Sequence, residues 1–270
     1  MRFLSARRRH PLAGLVVVVF GLFFAAGLYA AVAPSSDADS SNEELISKGR
    51  QLFLVGCATC HGLNGEGTMT SAGTNYGPSL VGVGAAAVDF QVGTGRMPMA
   101  EPGTQALAKP PQYDDAEIEA LAAYIASLGP GPPVPNRSYY DVSNATEDQI
   151  VNGGELFRTN CTACHNFSGS GGALPQGRFA PHILGVEPKY IYEAMITGPQ
   201  QMPVFSNGVM TPQDKRDIIA YLDHLNRQPS YGGVGLGFLG ATGEGLWGWV
   251  VGMGALVAVA IWIGAKGAKV

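Results

Sequence analysis

Cys57-Ala58-Thr59-Cys60-His61 and Cys161-Thr162-Ala163-Cys164-His165 each set two thiols three positions apart and follow them at once with a histidine. Thiols at that spacing share one helical turn, so both can add to vinyl groups of a single porphyrin. The next imidazole then reaches the iron from the proximal side, and C-x-x-C-H is read as c-type haem attachment. The two motifs use all four cysteines of the chain. A zinc knuckle or a redox dithiol would also need close cysteines, but neither accounts for two copies in matching local context. The sequence therefore predicts two covalently bound haem c groups, one on Cys57 and Cys60, the other on Cys161 and Cys164.

The elements that must position these motifs repeat with them. Ile46, Gly49, Leu52 and Phe53 precede the first motif, and Ile150, Gly153, Leu156 and Phe157 precede the second at a constant offset of 104. A Gly-rich loop follows each motif, then Pro78 or Pro181, then a Met-Pro pair at 97–98 or 202–203. Each unit closes on an amphipathic helix. One is predicted over 114–128, with Ile118, Leu121, Ile125 and Leu128 on one face; the other over 211–226, with Ile218, Leu222 and Leu225. Thr211-Pro212 and the acidic residues at 114, 115 and 117 suit helix starts. The pattern describes two homologous domains, each near the small end for an independent core. A haem within each supplies apolar surface that the side chains alone lack.

This order of elements resembles class I cytochrome c, over about residues 43–128 and 147–226. The resemblance makes His61 and His165 the proximal ligands, and Met97 and Met202 the distal ligands. It also implies that the carbonyls of Pro78 and Pro181 accept a hydrogen bond from the histidine nitrogen facing away from iron, which sets ligand orientation and basicity. Gly49 and Phe53 are expected against Tyr124, and Gly153 and Phe157 against Tyr221. One departure stands out: 27 residues separate Met97 from Tyr124, against 19 between Met202 and Tyr221.

Methionine is often core filler, so Met99, two residues past Met97, stays open as the first distal ligand. Met69, Met195 and Met210 fit the pattern less well. His182 and His224 are the candidates for a bis-His haem, and a surface or haem-edge role suits both. His/Met ligation raises the potential and fills both axial positions, which argues for relay rather than catalysis at iron. Arg96 and Arg178 are candidates to hold haem propionates, since guanidinium matches carboxylate geometry. Asn136 and Asn144 begin Asn-x-Ser/Thr matches in the linker and indicate an exposed segment.

Both ends are apolar. Residues 12–33 follow Arg7-Arg8-Arg9, a basic flank that places the N-terminus in the cytoplasm. The run reads either as a signal peptide, with Ala31-Val32-Ala33 as its cleavage pattern, or as a retained anchor; Pro34 and the length favour the anchor. Residues 246–264 are apolar and uncharged, are bordered by Trp247, Trp249 and Trp262, and are followed by Lys266 and Lys269, as a C-terminal transmembrane helix requires. Small residues along it permit close packing with partner helices. All 21 acidic residues lie between Asp37 and Glu244 with 11 Lys/Arg, so that part carries 11 − 21 = −10 while the whole chain carries −4. Such a charge excludes nucleic acid as a natural partner and suits a basic protein surface.

The expected organisation is all-α: a transmembrane anchor or signal segment over 1–33, a polar tether at 34–42, cytochrome c domains at 43–129 and 147–228, a Pro-rich linker at 130–146, a Gly-rich strap at 229–245 and a transmembrane helix at 246–264. The linker begins Gly129-Pro-Gly-Pro-Pro-Val-Pro135, which is semi-extended by composition and restricts the interdomain geometry. The strap carries Val, Leu and Phe among its glycines and reads as a segment lying on a partner subunit, or else as a hinge. Taken together, these features resemble the dihaem cytochrome c subunit of the actinobacterial menaquinol:cytochrome c reductase, the cytochrome bcc complex. That resemblance implies a cell-membrane protein with its haem domains outside and both termini in the cytoplasm. It implies partnership with a cytochrome b subunit, a Rieske iron–sulfur subunit and an aa3-type oxidase. It also implies a relay with no substrate-binding site of its own, inside a quinol–cytochrome-c reductase. The competing readings are the dihaem subunit of a cbb3-type oxidase, the cytochrome subunit of a periplasmic dehydrogenase, and a dihaem peroxidase.

Overall fold

The structure is a computed structural model that describes residues 11–32, 36–71, 73, 75–228 and 241–267. The basic flank at 7–9, the cleavage-pattern residue Ala33, the tether residues 34 and 35, Lys269 and most of the strap (229–240) lie outside the described residues. Ten α-helices are described: α1 (Pro11–Val32), α2 (Ser36–Gly56), α3 (Ala58–His61), α4 (Ala85–Gly93), α5 (Asp115–Ser127), α6 (Glu147–Asn160), α7 (Thr162–His165), α8 (Pro188–Thr197), α9 (Pro212–Arg227) and α10 (Ala241–Gly267). The only sheet structure among the described residues is two small antiparallel pairs: β1 (Thr68–Met69) with β2 (Asn75–Gly77), and β3 (Gly172–Ala173) with β4 (Phe179–Ala180).

Each haem-motif domain is built on one helix crossing. In the first, α2 meets α5 at Gly49, where a Cβ would collide with the backbone carbonyl of Ala120. In the second, α6 meets α9 at Gly153, where a Cβ would collide with the carbonyl of Asp217. Beside the first glycine Phe53 tilts onto Tyr124 at 5.2 Å between ring centroids, and beside the second Phe157 tilts onto Tyr221 at 5.7 Å. The helix starts follow from their caps. Asp114 and Glu117, Thr146 and Gln149, and Thr211 and Asp214 each form a reciprocal capping box at the N-termini of α5, α6 and α9. Such boxes satisfy two orphan amides at once, and Pro212 opens α9 where a missing N–H costs nothing.

Two elements differ from the sequence expectation. Helix α2 starts at Ser36, inside the segment read as a polar tether. Helix α10 starts at Ala241, five residues before the predicted span, and ends at Gly267. Once a long apolar helix is nucleated, adding residues to its end is easy even for Gly-containing sequence. Windows over Leu12–Tyr29 and Gly245–Gly267 have mean hydropathies of 2.4 and 2.0 with none of their residues buried, so α1 and α10 are long and apolar enough to cross a membrane.

The linker is not a free spacer. Its first half docks on the first domain, where Ala86 N donates to Pro132 O at 3.1 Å. Its second half docks on the second, where Arg216 Nη1 donates to Ser138 O at 3.4 Å and the Tyr139 ring lies 5.6 Å from that of Tyr192. The long loop between Met97 and α5 also crosses to the second domain. Gln105 Nε2 donates to Phe179 O (2.7 Å) while Phe179 N donates to Gln105 Oε1 (2.9 Å). Arg178 Nε donates to Thr104 O (3.0 Å), and Gln200 Nε2 donates to Ala106 O (3.1 Å). The extra loop length noted in the sequence is what forms this seam.

Candidate haem sites

The first motif sits on α3, a single turn after α2. Cys57 and Cys60 are half-buried, and His61 is 9% exposed. The ring of His61 is fixed from behind, with Nδ1 donating to Pro78 O at 2.7 Å. That carbonyl is held in place by the loop around it: Gly67 N donates to His61 O (2.7 Å), and Leu80 N donates to Gly65 O (2.7 Å). Gly67 has φ +86°, which favours glycine, and a Cβ there would press on Ser79 N.

The second motif, on α7, repeats the arrangement. His165 Nδ1 donates to Pro181 O at 3.0 Å, Gly171 N to His165 O at 3.0 Å, and Ile183 N to Gly169 O at 2.9 Å. With Nδ1 engaged as a donor, each imidazole leaves Nε2 and its lone pair for a metal, and such an outer partner raises ligand basicity. Burial lowers the pKa of His165, against the opposing bond to Pro181, so the ring is neutral near pH 7 as ligation needs.

The four thiols are free of one another. Burial, helped by the neighbouring Cys60, pushes Cys57 up to about 11, and burial with Cys164 does the same for Cys161. Before attachment both leading thiols are therefore protonated. Met97 packs against the same core cluster as Cys57, and Met202 against the same cluster as Cys161. Each domain thus brings one Cys-Cys-His turn and one half-buried methionine to a shared apolar cluster. This donor set, with unpaired thiols, an imidazole locked by Nδ1 and a soft thioether, fits a covalent haem.

Of the competing ligands, Met195 and Met210 share the second cluster with Met202, and Met99 is half-buried two residues past Met97. Met195 and Met210 are buried in the second core, and Met69 is largely exposed. His182 is exposed, and so is His224, whose Nε2 lies 2.6 Å from Gln228 Nε2. Arg96 stacks 4.8 Å above the Phe90 ring centroid, and burial lowers its pKa. Arg178 is committed by its Nε to Thr104 in the seam.

Sequence reasoning missed the charged part of that seam. Lys189 Nζ on α8 pairs with Asp89 Oδ2 on α4 at 2.8 Å, and Tyr190 meets Phe90 edge-on at 6.4 Å. The available signal was Glu193, an acid set between Tyr192 and Met195 in the buried stretch of α8.

The chain resembles known proteins over these same regions. The family described as Cytochrome c matches residues 46–129, and that described as Cytochrome C oxidase, cbb3-type, subunit III matches residues 148–222. A protein of Mycobacterium bovis named Cytochrome bc1 complex cytochrome c subunit is 43% identical over 96% of this chain and 93% of its own length. Its namesake in Corynebacterium diphtheriae is 41% identical over 97% of each. The Cbb3-type cytochrome c oxidase subunit CcoP of Helicobacter pylori is 28% identical over 48% of this chain and 40% of that protein.

Proposed function

The chain belongs to the family of cytochrome bc1 complex cytochrome c subunits, and from that membership we propose that it is the two-haem relay of a menaquinol:cytochrome c reductase. In this reading it accepts electrons from the Rieske iron–sulfur subunit beside cytochrome b and delivers them to an aa3-type oxidase. The observation that carries the reading is the duplicated site: two Cys-Cys-His turns, each with its histidine locked by a proline carbonyl.

Haem c, when bound, supplies a one-electron iron couple. Cys57 and Cys60 anchor the first group, and Cys161 and Cys164 the second. His61 and His165 would hold the iron through Nε2, and Met97 and Met202 would supply the thioether ligands. With both ligands supplied by the chain, the iron would serve electron transfer rather than substrate binding, which would set the relay apart from a peroxidase. Entry through the first domain and exit through the second is part of the same reading; position for position the second motif is the more exposed, with Cys164 exposed against half-buried Cys60 and His165 half-buried against buried His61. The apolar helices α1 and α10 support anchoring in the cell membrane at both ends, and the basic residues Arg7-Arg8-Arg9, Lys266 and Lys269 that flank them are the ground for placing the termini in the cytoplasm and the haem domains outside.

Purification from native membranes in mild detergent tests this. Cytochrome b, Rieske protein and an aa3-type oxidase should co-purify, with two haem c per chain and quinol-driven oxygen uptake. The match of residues 148–222 to a cbb3-type subunit favours one rival; recovery with a cbb3-type oxidase, or with a periplasmic dehydrogenase, would replace the proposal.

A further inference from the structure

Glu193 is fully buried on α8, yet neither of its carboxylate oxygens meets a hydrogen-bond donor among the described residues. An unpaired buried carboxylate is costly, and such a group usually takes up a proton instead. Its surroundings specify where that proton goes. Asp89 on α4, 8% exposed, lies across the seam, with Lys189 Nζ on its Oδ2. The remaining charged and titratable groups at this place are Glu187 and Tyr190 on α8 itself, Arg96 over Phe90 from the first domain, and Lys215 of α9. Lys215 lies 5.9 Å over Tyr192, and its Nζ is bonded to Asn207 and Met210.

The repeat isolates this position further. Pro78 and Pro181, Gly82 and Gly185, and Thr94 and Thr197 are all 103 apart, so the counterpart of Glu193 is Phe90 (193 − 103 = 90). Phe90 is also buried, at 5% exposure. The domain fold accepts an apolar side chain here, so the acid serves something other than the domain's own core.

We propose that Glu193 stands in the folded protein as the neutral acid and donates its proton to Asp89, so that one shared proton beside Lys189 holds the two haem domains in a fixed mutual geometry. The ion pair neutralises Asp89 and the proton neutralises Glu193, so that Asp89, Lys189 and Glu193 together carry no net charge. Burial, reinforced by hydrogen bonding to Asp89 and by its charge, pushes Glu193 up to about 10 against the pull of Lys189. Lys189 itself, although burial draws it down, is pushed up to about 12 by Asp89. Glu193, Asp89 and Lys189 are in this sense positioning residues for electron transfer between the domains, and only that consequence rests on the relay reading.

The sign of the pH dependence follows from linkage. The closed seam binds a proton that an opened seam releases, because the Glu193 pKa is raised from the ordinary 4.5. The stabilisation is complete below 4.5 and is lost as pH rises toward about 10. Through that window the opening constant of the seam rises about tenfold per pH unit.

Hydrogen exchange on the purified, haem-loaded complex reads this slope. After correction for intrinsic base catalysis, amides of α4, α8 and residues 104–106 should lose protection with rising pH. Those at the α6–α9 crossing should not. In Glu193→Gln, which keeps a donor for Asp89 and cannot ionise, seam protection should be flat with pH. Equal profiles in wild type and variant would overturn the proposal, as would loss of seam protection in Glu193→Gln near neutral pH. Should that variant fail to assemble, Glu193→Met provides the same contrast with the volume the repeat tolerates. The wild type alone gives a further readout: a protonated-carboxyl C=O stretch in the infrared at neutral pH, whose absence refutes the shared proton. Haem content and interdomain electron-transfer rate, measured on the same samples, report separately on the relay. A flat Glu193→Gln profile with no electron transfer in wild type would sink the relay and leave the proton standing.

Discussion

The two cytochrome c domains share a helix crossing, a capping chemistry and a proline-locked histidine, and they differ in what surrounds that common frame. In the first, His61 is buried and a long loop after Met97 reaches away to bind the other domain. In the second, Cys164 is exposed, the loop is short, and a buried acid replaces the first domain's Phe90. The shared features are the domain frame and the Cys-Cys-His turn with its histidine locked by a proline carbonyl. The divergent ones lie at the seam and at the exposed motif, where the domains meet each other and the outside.

Removing the attachment chemistry is the strongest way to break the symmetry. Cys57→Ser with Cys60→Ser, or Cys161→Ser with Cys164→Ser, should each halve the haem c per chain and abolish quinol-driven oxygen uptake. Persisting uptake in either would show that the domains work in parallel rather than in series. Next comes ligation. Met97→Ala and Met202→Ala should each lower the potential of one haem by on the order of 0.1 V, a part of the roughly 0.8 V that axial ligation spans. Met99→Ala should leave both potentials in place; a fall in the first would make Met99 the ligand instead.

The helix crossings come third. Gly49→Ala and Gly153→Ala force a methyl against a backbone carbonyl, and overpacking of this kind costs about 1–3 kcal/mol. The thermal midpoint of the domain concerned should fall while its partner's stays unchanged, and equal falls in both would mean the domains unfold as one unit. The smallest effects belong to the caps: Asp114→Ala and Thr211→Ala should each cost about 1 kcal/mol in denaturant titrations.

The sequence carried the repeated parts well. A motif such as Cys57–His61 is chemistry at fixed spacing, and Gly49 with Phe53 recurs 104 residues later as Gly153 with Phe157, so each copy vouches for the other. The last helices were visible because their apolar residues keep a helical period and their caps sit at the ends. The Nδ1-to-carbonyl bonds of His61 and His165 followed from family resemblance alone. The seam left almost no trace, because Asp89 with Lys189 and Gln105 with Phe179 join segments of different period and no shared motif. The docking of the linker was hidden for the same reason: Pro-rich composition dictates an extended path, not the surface it follows. The early start of α2 at Ser36 escaped because a Ser- and Asp-rich stretch is compositionally a tether until the helix beyond it is formed.

The seam also bears on how the chain is made. Translation delivers it N-terminus first, and domains generally fold in that order. Gln105 therefore emerges long before Phe179, and Asp89 before Lys189. The first domain can close its own helix crossing at once, yet it must wait with an unmatched loop and an unmatched carboxylate until the second arrives. Assembly thus has a built-in order: the first domain's core closes before the seam can, and the arrival of the second domain supplies the partners of Gln105 and Asp89.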